Sequence, residues 1–232
     1  MIDDSIDQKL FTAGDASRLV GVSAASARRW LAGYTYTYNG EQRSRGAKIG
    51  SRAGEVDGVL MMSFLDLVEV RMAMNFRKSK VSWERINRAA AFFRSSWQSE
   101  HPFALQRFRS DGKYALAEIA GQLKDRHLLD VSTNQFVFDA LLSQSLFDVL
   151  DFREDGLPFR MWLQGRESGI VVDPARAFGR PIVDQAGIPV STLVTAYAAN
   201  DNDIDRVARW FEIPPATVEA AIRYEANRRL AA

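Results

Sequence analysis

Apolar and polar positions fall into a helical rhythm at residues 11–34, FTAGDASRLVGVSAASARRWLAGY. Ala16, Leu19 and Val20 recur at i, i+3 and i+4, which predicts a short helix with one buried face, and Thr12 is placed to cap it. Gly21-Val22 breaks the rhythm, and glycine accepts the left-handed backbone that ends a helix. Ser23 is a second cap, and Ala27, Trp30 and Leu31 share the inner face of the helix that follows. Its outer face carries Ala25, Arg28 and Arg29. The pattern predicts a helix-turn-helix. Short side chains let the second helix approach a groove floor, and two guanidiniums can reach phosphates or guanine edges. The alternative is an ordinary helical hairpin with a solvated basic face.

Tyr34-Thr35-Tyr36-Thr37-Tyr38 switches to a period of two and stops at Asn39-Gly40, a hairpin signal. A hairpin directly after such a helix is a wing, and its returning arm holds Gln42, Arg43, Arg45 and Lys48. Ser63-Phe64-Leu65-Asp66 resembles a capping box and predicts a helix to about Phe76. That helix is apolar around most of its circumference and is expected to be buried on more than one side. Ser82 caps a further helix to about Ser96. In it Trp83, Ile86, Ala90, Phe93 and Trp97 form a narrow apolar seam, read as intramolecular core with a dimer contact as the alternative.

From about Phe103 the pattern turns extended. RFRSDGKYAL and VLDFREDGLPFRMWL place strand-like runs around Asp111-Gly112 and Asp155-Gly156, QFVF at 135–138 is another strand candidate, and Pro158 favours an edge position. His101-Pro102 is the expected boundary before this region and Gln164–Ser168 the linker after it. Ile170-Val171-Val172 then reads as a strand ending in a turn at Asp173-Pro174, and Gly179–Val183 as extended, because Pro181 holds its predecessor out of the helical region. Three helices follow: about Ser191 to Ala199, Ile204–Phe211 behind the cap Asp203, and Pro214-Pro215 to about Leu230. The first two could form a second helix-turn-helix, but Asp201, Asp203, Asp205 and Glu212 face only Arg206 and Arg209, which argues against a DNA contact. The expected fold class is α+β, mainly helical. A winged helix-turn-helix covers 1–100, a small antiparallel β region 101–165, and a C-terminal three-helix domain 166–232.

Composition narrows the functions. The chain has 232 residues, 47% hydrophobic and 25% charged, as soluble globular proteins do. No apolar run reaches the ~18 residues of a membrane span, so no membrane partner is expected. The opening MIDDSIDQKL is acidic, unlike a signal peptide, and there is no cysteine; a cytoplasmic location is the expectation. His101 and His127 are too few and too isolated for a metal site, and no GxSxG, P-loop or GxGxxG is present. Asp155, Asp173 and Asp184 sit in turn contexts and form no catalytic set. No catalytic residue, metal or cofactor is expected.

Net charge is +1, but its distribution is uneven. Between Arg28 and Arg52 the positive residues are Arg28, Arg29, Arg43, Arg45, Lys48 and Arg52, against Glu41 alone, so this stretch carries +5. A basic island beside a helix-turn-helix is the footprint of a phosphate-binding face, and a flexible solvated loop is the alternative. The candidate DNA-binding residues are Ser23, Ala24, Ala25, Ser26, Arg28, Arg29, Tyr36, Arg43, Arg45, Lys48 and Arg52. One helix-turn-helix reads few base pairs, so a homodimer on a double-stranded operator is expected.

Both ends of the chain resemble known families. ASRLVGVSAASARRW and SFLDLVEVRMAMNFRKSKVSWERI make residues 12–97 similar to the MerR-type winged helix, without that family's metal-binding cysteines or long dimerisation helix. Residues 170–226 resemble the small C-terminal antitoxin domain, of otherwise unknown function, found beside PIN-like toxins. The match rests on Asp173-Pro174, Gly179-Arg180-Pro181, Ile188-Pro189-Val190, Asp203 and Ala221-Ile222-Arg223-Tyr224. Gln185-Ala186-Gly187 stands where that family usually has Gly-Thr-Arg. The combination resembles the larger VapB-like antitoxins. It implies a type II antitoxin that binds its own operator and neutralises a PIN-like RNase toxin. Tyr197, Trp210, Phe211 and Tyr224 are then expected in the core, and Arg176, Phe178 and Arg180, an aromatic flanked by arginines, are the candidate toxin contacts. The rival readings are a stand-alone MerR-like transcriptional regulator sensing a small ligand in the β region, and an enzyme accessory subunit.

Overall fold

A computed structural model describes residues 4–47, 49, 54–109 and 147–230. Strand β1 (Phe11–Thr12) leads directly into helix α1 (Ala13–Val20), and α2 (Ala24–Leu31) follows. The boundaries have local causes. Thr12 Oγ1 accepts from the Asp15 N–H at 3.1 Å, and the Asp15 carboxylate accepts from the Thr12 N–H at 2.8 Å, a reciprocal capping box. Gly21 ends α1 with φ 73°, and Ser23 Oγ accepts from the Ser26 N–H at 3.2 Å to start α2.

Strands β2 (Tyr34–Tyr38) and β3 (Glu41–Arg45) form the expected wing around Asn39-Gly40, both in the left-handed region at φ 51° and 79°. A second hairpin, β4 (Gly54–Val56) with β5 (Val59–Met62), turns at Asp57-Gly58. β5 also pairs with β1, Phe11 opposite Met62, so a three-stranded sheet β1-β5-β4 closes the N-terminal unit. Helix α3 (Phe64–Lys78) starts in a Ser63/Asp66 capping box and is buried continuously from Phe64 to Val70. Helix α4 (Trp83–Trp97) is capped by Ser82.

Residues 102–109 depart from the extended expectation. Pro102–Ala104 is a 3-10 turn and residues 106–109 are helical. The reason is tertiary. Phe103 and Phe108 enter a cluster of edge-on rings with Phe76, Phe93 and Trp97, and the Phe103 N–H donates to the fully buried Glu69 carboxylate at 3.1 Å. The α4 seam is spent here, on intramolecular core. The expected strands around Asp111-Gly112 and at 135–138 lie outside the described residues.

The C-terminal section is built on a five-stranded antiparallel sheet in the order β10-β9-β8-β7-β6. Its strands are β6 (Leu150–Phe152), β7 (Pro158–Trp162), β8 (Ile170–Val172), β9 (Ile182–Val183) and β10 (Ile188–Pro189). The sheet runs across residue 165, where composition places a boundary. Pro158 does not mark an edge strand: β7 lies inside the sheet and β6 at its margin. The proline is tolerated because it is the first residue of β7, beyond the β8 ladder at Met161–Val172 and Trp162–Val171. Helices α5 (Val190–Ala199), α6 (Ile204–Phe211) and α7 (Pro215–Leu230) complete the fold. Among the described residues no helix is long and apolar enough to cross a membrane.

Candidate nucleic-acid interface

Helix α2 turns Ala27 and Leu31 into the core and half-buries Trp30, whose ring meets Trp83 of α4 edge-on at 4.9 Å. That contact fixes the helix on the body of the protein. Ser23, Ala25, Arg28 and Arg29 are exposed on the opposite side, and Ala24 and Ser26 are half-buried. Ser23 Oγ also donates to Ser26 Oγ at 2.9 Å, so both hydroxyls are partly committed to the cap.

The wing is attached at both ends. Gly33 (φ 78°) lies against the backbone of Arg45 and Gly46, where a Cβ would fall 2.3 Å from the Arg45 carbonyl oxygen. Beyond β3, Ile49 is buried and donates its N–H to the Trp30 carbonyl at 3.1 Å. The hairpin itself is open to solvent, and among the described residues β2 and β3 pair with no third strand. Alternation puts Tyr34, Tyr36, Tyr38, Glu41, Arg43 and Arg45 on one face and Thr35, Thr37, Gln42 and Ser44 on the other. Arg29, Arg45 and Arg43 lie over the rings of Tyr34, Tyr36 and Tyr38 at 5.5, 5.8 and 4.8 Å. Hydrogen bonding and charge from Tyr36 and Tyr34 raise the Arg45 pKa further, so it stays cationic. The structure therefore brings Arg29, Arg43 and Arg45 together over the tyrosine row, with Tyr36 half-buried among them and Arg28 exposed next to Arg29 on α2. Lys48 and Arg52 lie outside the described residues. Sequence reasoning singled out Tyr36 but passed over Tyr34 and Tyr38, although the same alternation places all three on one face.

The three candidate toxin contacts differ from one another. Arg176 is half-buried and tied to the fold: its guanidinium donates to the Asp184 carboxylate and to the Asp184 carbonyl, both at 2.8 Å. Phe178 is 79% exposed, and Arg180 donates to the Ala177 carbonyl at 3.2 Å. The segment is not extended before Arg180. Ala177, Phe178 and Gly179 take φ of 49°, 55° and 70°, a tight left-handed turn that lifts the Phe178 ring into solvent. Of the four aromatics expected in the core, Tyr224 is buried, with its hydroxyl pKa pushed up to about 12 by burial. Tyr197 and Phe211 are half-buried, but Trp210 is 64% exposed under Arg206. It falls off the stripe of Ile204, Val207, Ala208 and Phe211 that faces inward.

The expected second helix-turn-helix joins α5 and α6 through left-handed Asp201 and Asn202 (φ 55° and 61°), and α6 with α7 follows a similar layout. An eight-residue helix, a left-handed Glu212 (φ 54°), a short turn and a further helix repeat α1, Gly21 and α2. Its exposed charges are mixed: Asp205, Glu212 and Glu219 beside Arg206, Arg209 and Arg223.

Residues 9–90 match a family described as "Putative DNA-binding HTH domain", and residues 170–224 match "Protein of unknown function (DUF433)". A curated relative, "Putative antitoxin VapB45" of Mycobacterium tuberculosis (strain ATCC 25618 / H37Rv), is 26% identical over 198 residues, covering 81% of this chain and 82% of that protein. The chain is similar to a VapB antitoxin. The X-ray crystal structure of Rv2018 from Mycobacterium tuberculosis has the same fold, with a TM-score of 0.71 at 20% identity over 94% of this chain and 99% of that one.

Proposed function

We propose that this chain is a DNA-binding antitoxin of a type II toxin–antitoxin system. Its N-terminal unit, a winged helix-turn-helix of MerR type, binds the operator of its own gene as a homodimer and regulates transcription there. Its C-terminal unit binds and neutralises a PIN-like RNase toxin. The observation that carries the DNA half is the row of exposed guanidiniums, Arg29, Arg45 and Arg43, from α2 to the wing tip, with Arg28 exposed on α2 beside it. Cations in that arrangement can span a phosphate backbone while the start of α2 reaches base edges. The toxin half draws on the antitoxin relative and on an exposed aromatic held out on a tight turn, a side chain of the kind that anchors interfaces. Mobility shifts with the DNA upstream of its own reading frame test the first half. Rescue of cells expressing the adjacent reading frame tests the second. An unshifted fragment removes the operator role, and a toxic neighbour that this chain fails to silence removes the antitoxin role.

A further inference from the structure

We propose that Arg29 belongs functionally to the wing. With Tyr34, Tyr36, Tyr38, Arg43 and Arg45 it forms one clamp for the duplex backbone, which leaves Arg28 as the base-reading guanidinium of α2. This rests on the DNA-binding reading above and divides its labour.

The register of the hairpin is the starting point. Tyr34 stands directly opposite Arg45, and Tyr36 opposite Arg43. The guanidiniums do not stay over these partners. Arg45 leans one step along, over Tyr36, and Arg43 over Tyr38. The Tyr34 ring is thereby left open, and Arg29 of α2 occupies it at 5.5 Å. Each of the three rings carries one guanidinium, and the row runs without a break from the recognition helix to the wing tip. Tyr34 and Tyr36 also touch each other, with centroids 5.8 Å apart.

A guanidinium stacks through its face and donates hydrogen bonds through its edge, so a stacked arginine can still donate to a phosphate; Arg43 donates to the exposed Glu41 carboxylate at 3.3 Å, a solvent-screened pair that a phosphate would have to replace. Stacking also removes rotamer freedom before DNA arrives, which lowers the entropy lost on binding. A two-stranded hairpin is marginal alone in water, and the stacked pairs stiffen it. A row of cations at fixed spacing suits a row of phosphates and carries no base information. Reading a base requires a side chain that extends from the helix to the groove floor, whereas Arg29 is drawn sideways onto the hairpin. Arg28 sits about 100° around the helix from it. Among the described residues Arg28 has neither a ring nor a carboxylate partner. The opposite hairpin face, Thr35, Thr37, Gln42 and Ser44, is uncharged.

The test is fluorescence anisotropy of the full chain with two labelled duplexes, the fragment upstream of its own reading frame and a shuffled duplex of the same length and composition, over a salt series. Arg29→Ala should weaken both duplexes by the same factor and lower the salt slope by about one, leaving their affinity ratio unchanged. Tyr34→Leu, which keeps every charge, should also weaken both alike. Arg28→Ala should reduce the ratio itself, by about 5–150-fold. Collapse of the ratio in Arg29→Ala, or unchanged affinities in Tyr34→Leu, overturns the clamp while the DNA-binding reading stands. Wild-type protein that binds neither duplex overturns both. Arg29→Lys, an exposed replacement that keeps the charge and the fold but loses the planar edge, should weaken both duplexes with no change in salt slope.

Discussion

Gly179 rests on the ring of Phe11. A Cβ on Gly179 would lie 2.5 Å from Phe11 Cζ, and the glycine takes φ 70°. Phe11 pairs with Met62, packs on Phe64 and opens directly into α1. One glycine of the Phe178 turn thus seats the C-terminal section on the strand that begins the helix-turn-helix. Beside this contact runs a groove of about 500 Å³ lined by Arg18, Leu19, Phe178, Val194, Tyr224 and Arg228. Gly179→Ala combines an unfavourable left-handed alanine with overpacking and should cost about 2–4 kcal/mol. Chemical denaturation checks this, and a loss below 1 kcal/mol, the scale of an ordinary surface change, would mean the ring can move aside.

Of the three candidate toxin contacts, Phe178 has the least structural work to do. Its ring is exposed, so Phe178→Ala should leave the melting temperature unchanged. Co-purification with the adjacent toxin should weaken by about 2 kcal/mol or more. Arg176→Ala should do the reverse, lowering the melting temperature by breaking the link to Asp184. A point variant is the better tool than removal of residues 166–232, which would strip β8, β9 and β10 from the sheet that also holds β6 and β7.

Asp151 ties that sheet together. It accepts from Arg160 Nε at 2.7 Å, Arg166 Nη2 at 2.6 Å and Trp162 Nε1 at 2.9 Å, and Arg160 continues to Asp184. Burial pushes its pKa up, but the hydrogen bonds from Arg166, Arg160 and Trp162 outweigh that and hold it below the ordinary 3.8. A depressed carboxylate stabilises the fold fully above its unfolded pKa, and the contribution disappears as pH falls through the folded value. Asp151→Asn should therefore cost about 1–3 kcal/mol at neutral pH. The gap between variant and wild-type melting temperatures should close only below the unfolded pKa of about 4. A gap that is constant from pH 7 to about 3 would show that shape, not charge, is what the site supplies.

The α6–α7 unit has the helix-turn-helix layout without a basic surface. Replacing Arg206 and Arg209 together by Ala should leave operator affinity and its salt slope unchanged, because Asp205, Glu212 and Glu219 already cancel their field. A slope reduced by about two in the mobility-shift series would instead place this face on DNA.

Much of the N-terminal unit was legible in the chain alone. Thr12 with Asp15, Gly21, Ser23, Asn39-Gly40, Ser63 with Asp66, and Ser82 act through hydrogen bonds or backbone angles within three or four residues, so the information that sets those boundaries is itself local. The start of α6 was legible for the same reason, since Asp203 accepts from the Arg206 N–H at 2.9 Å. The Asp57-Gly58 hairpin carried an equally local signal and was passed over, since its short arms lack a clear alternation. Tertiary structure decided the rest. Phe103 and Phe108 curl the chain because four other rings, Phe76, Phe93, Trp97 and Phe147, wait for them, and β7 is interior because β8 comes back to it across residue 165. Arg29 and Arg176 look alike in sequence, yet one meets Tyr34 and the other Asp184. The sequence by itself determined where helices and turns begin and which residues carry charge, because capping and turn chemistry act over a few bonds. Which charges remain free to bind was decided only when segments distant in the chain met, because stacking and ion pairing depend on distances in space.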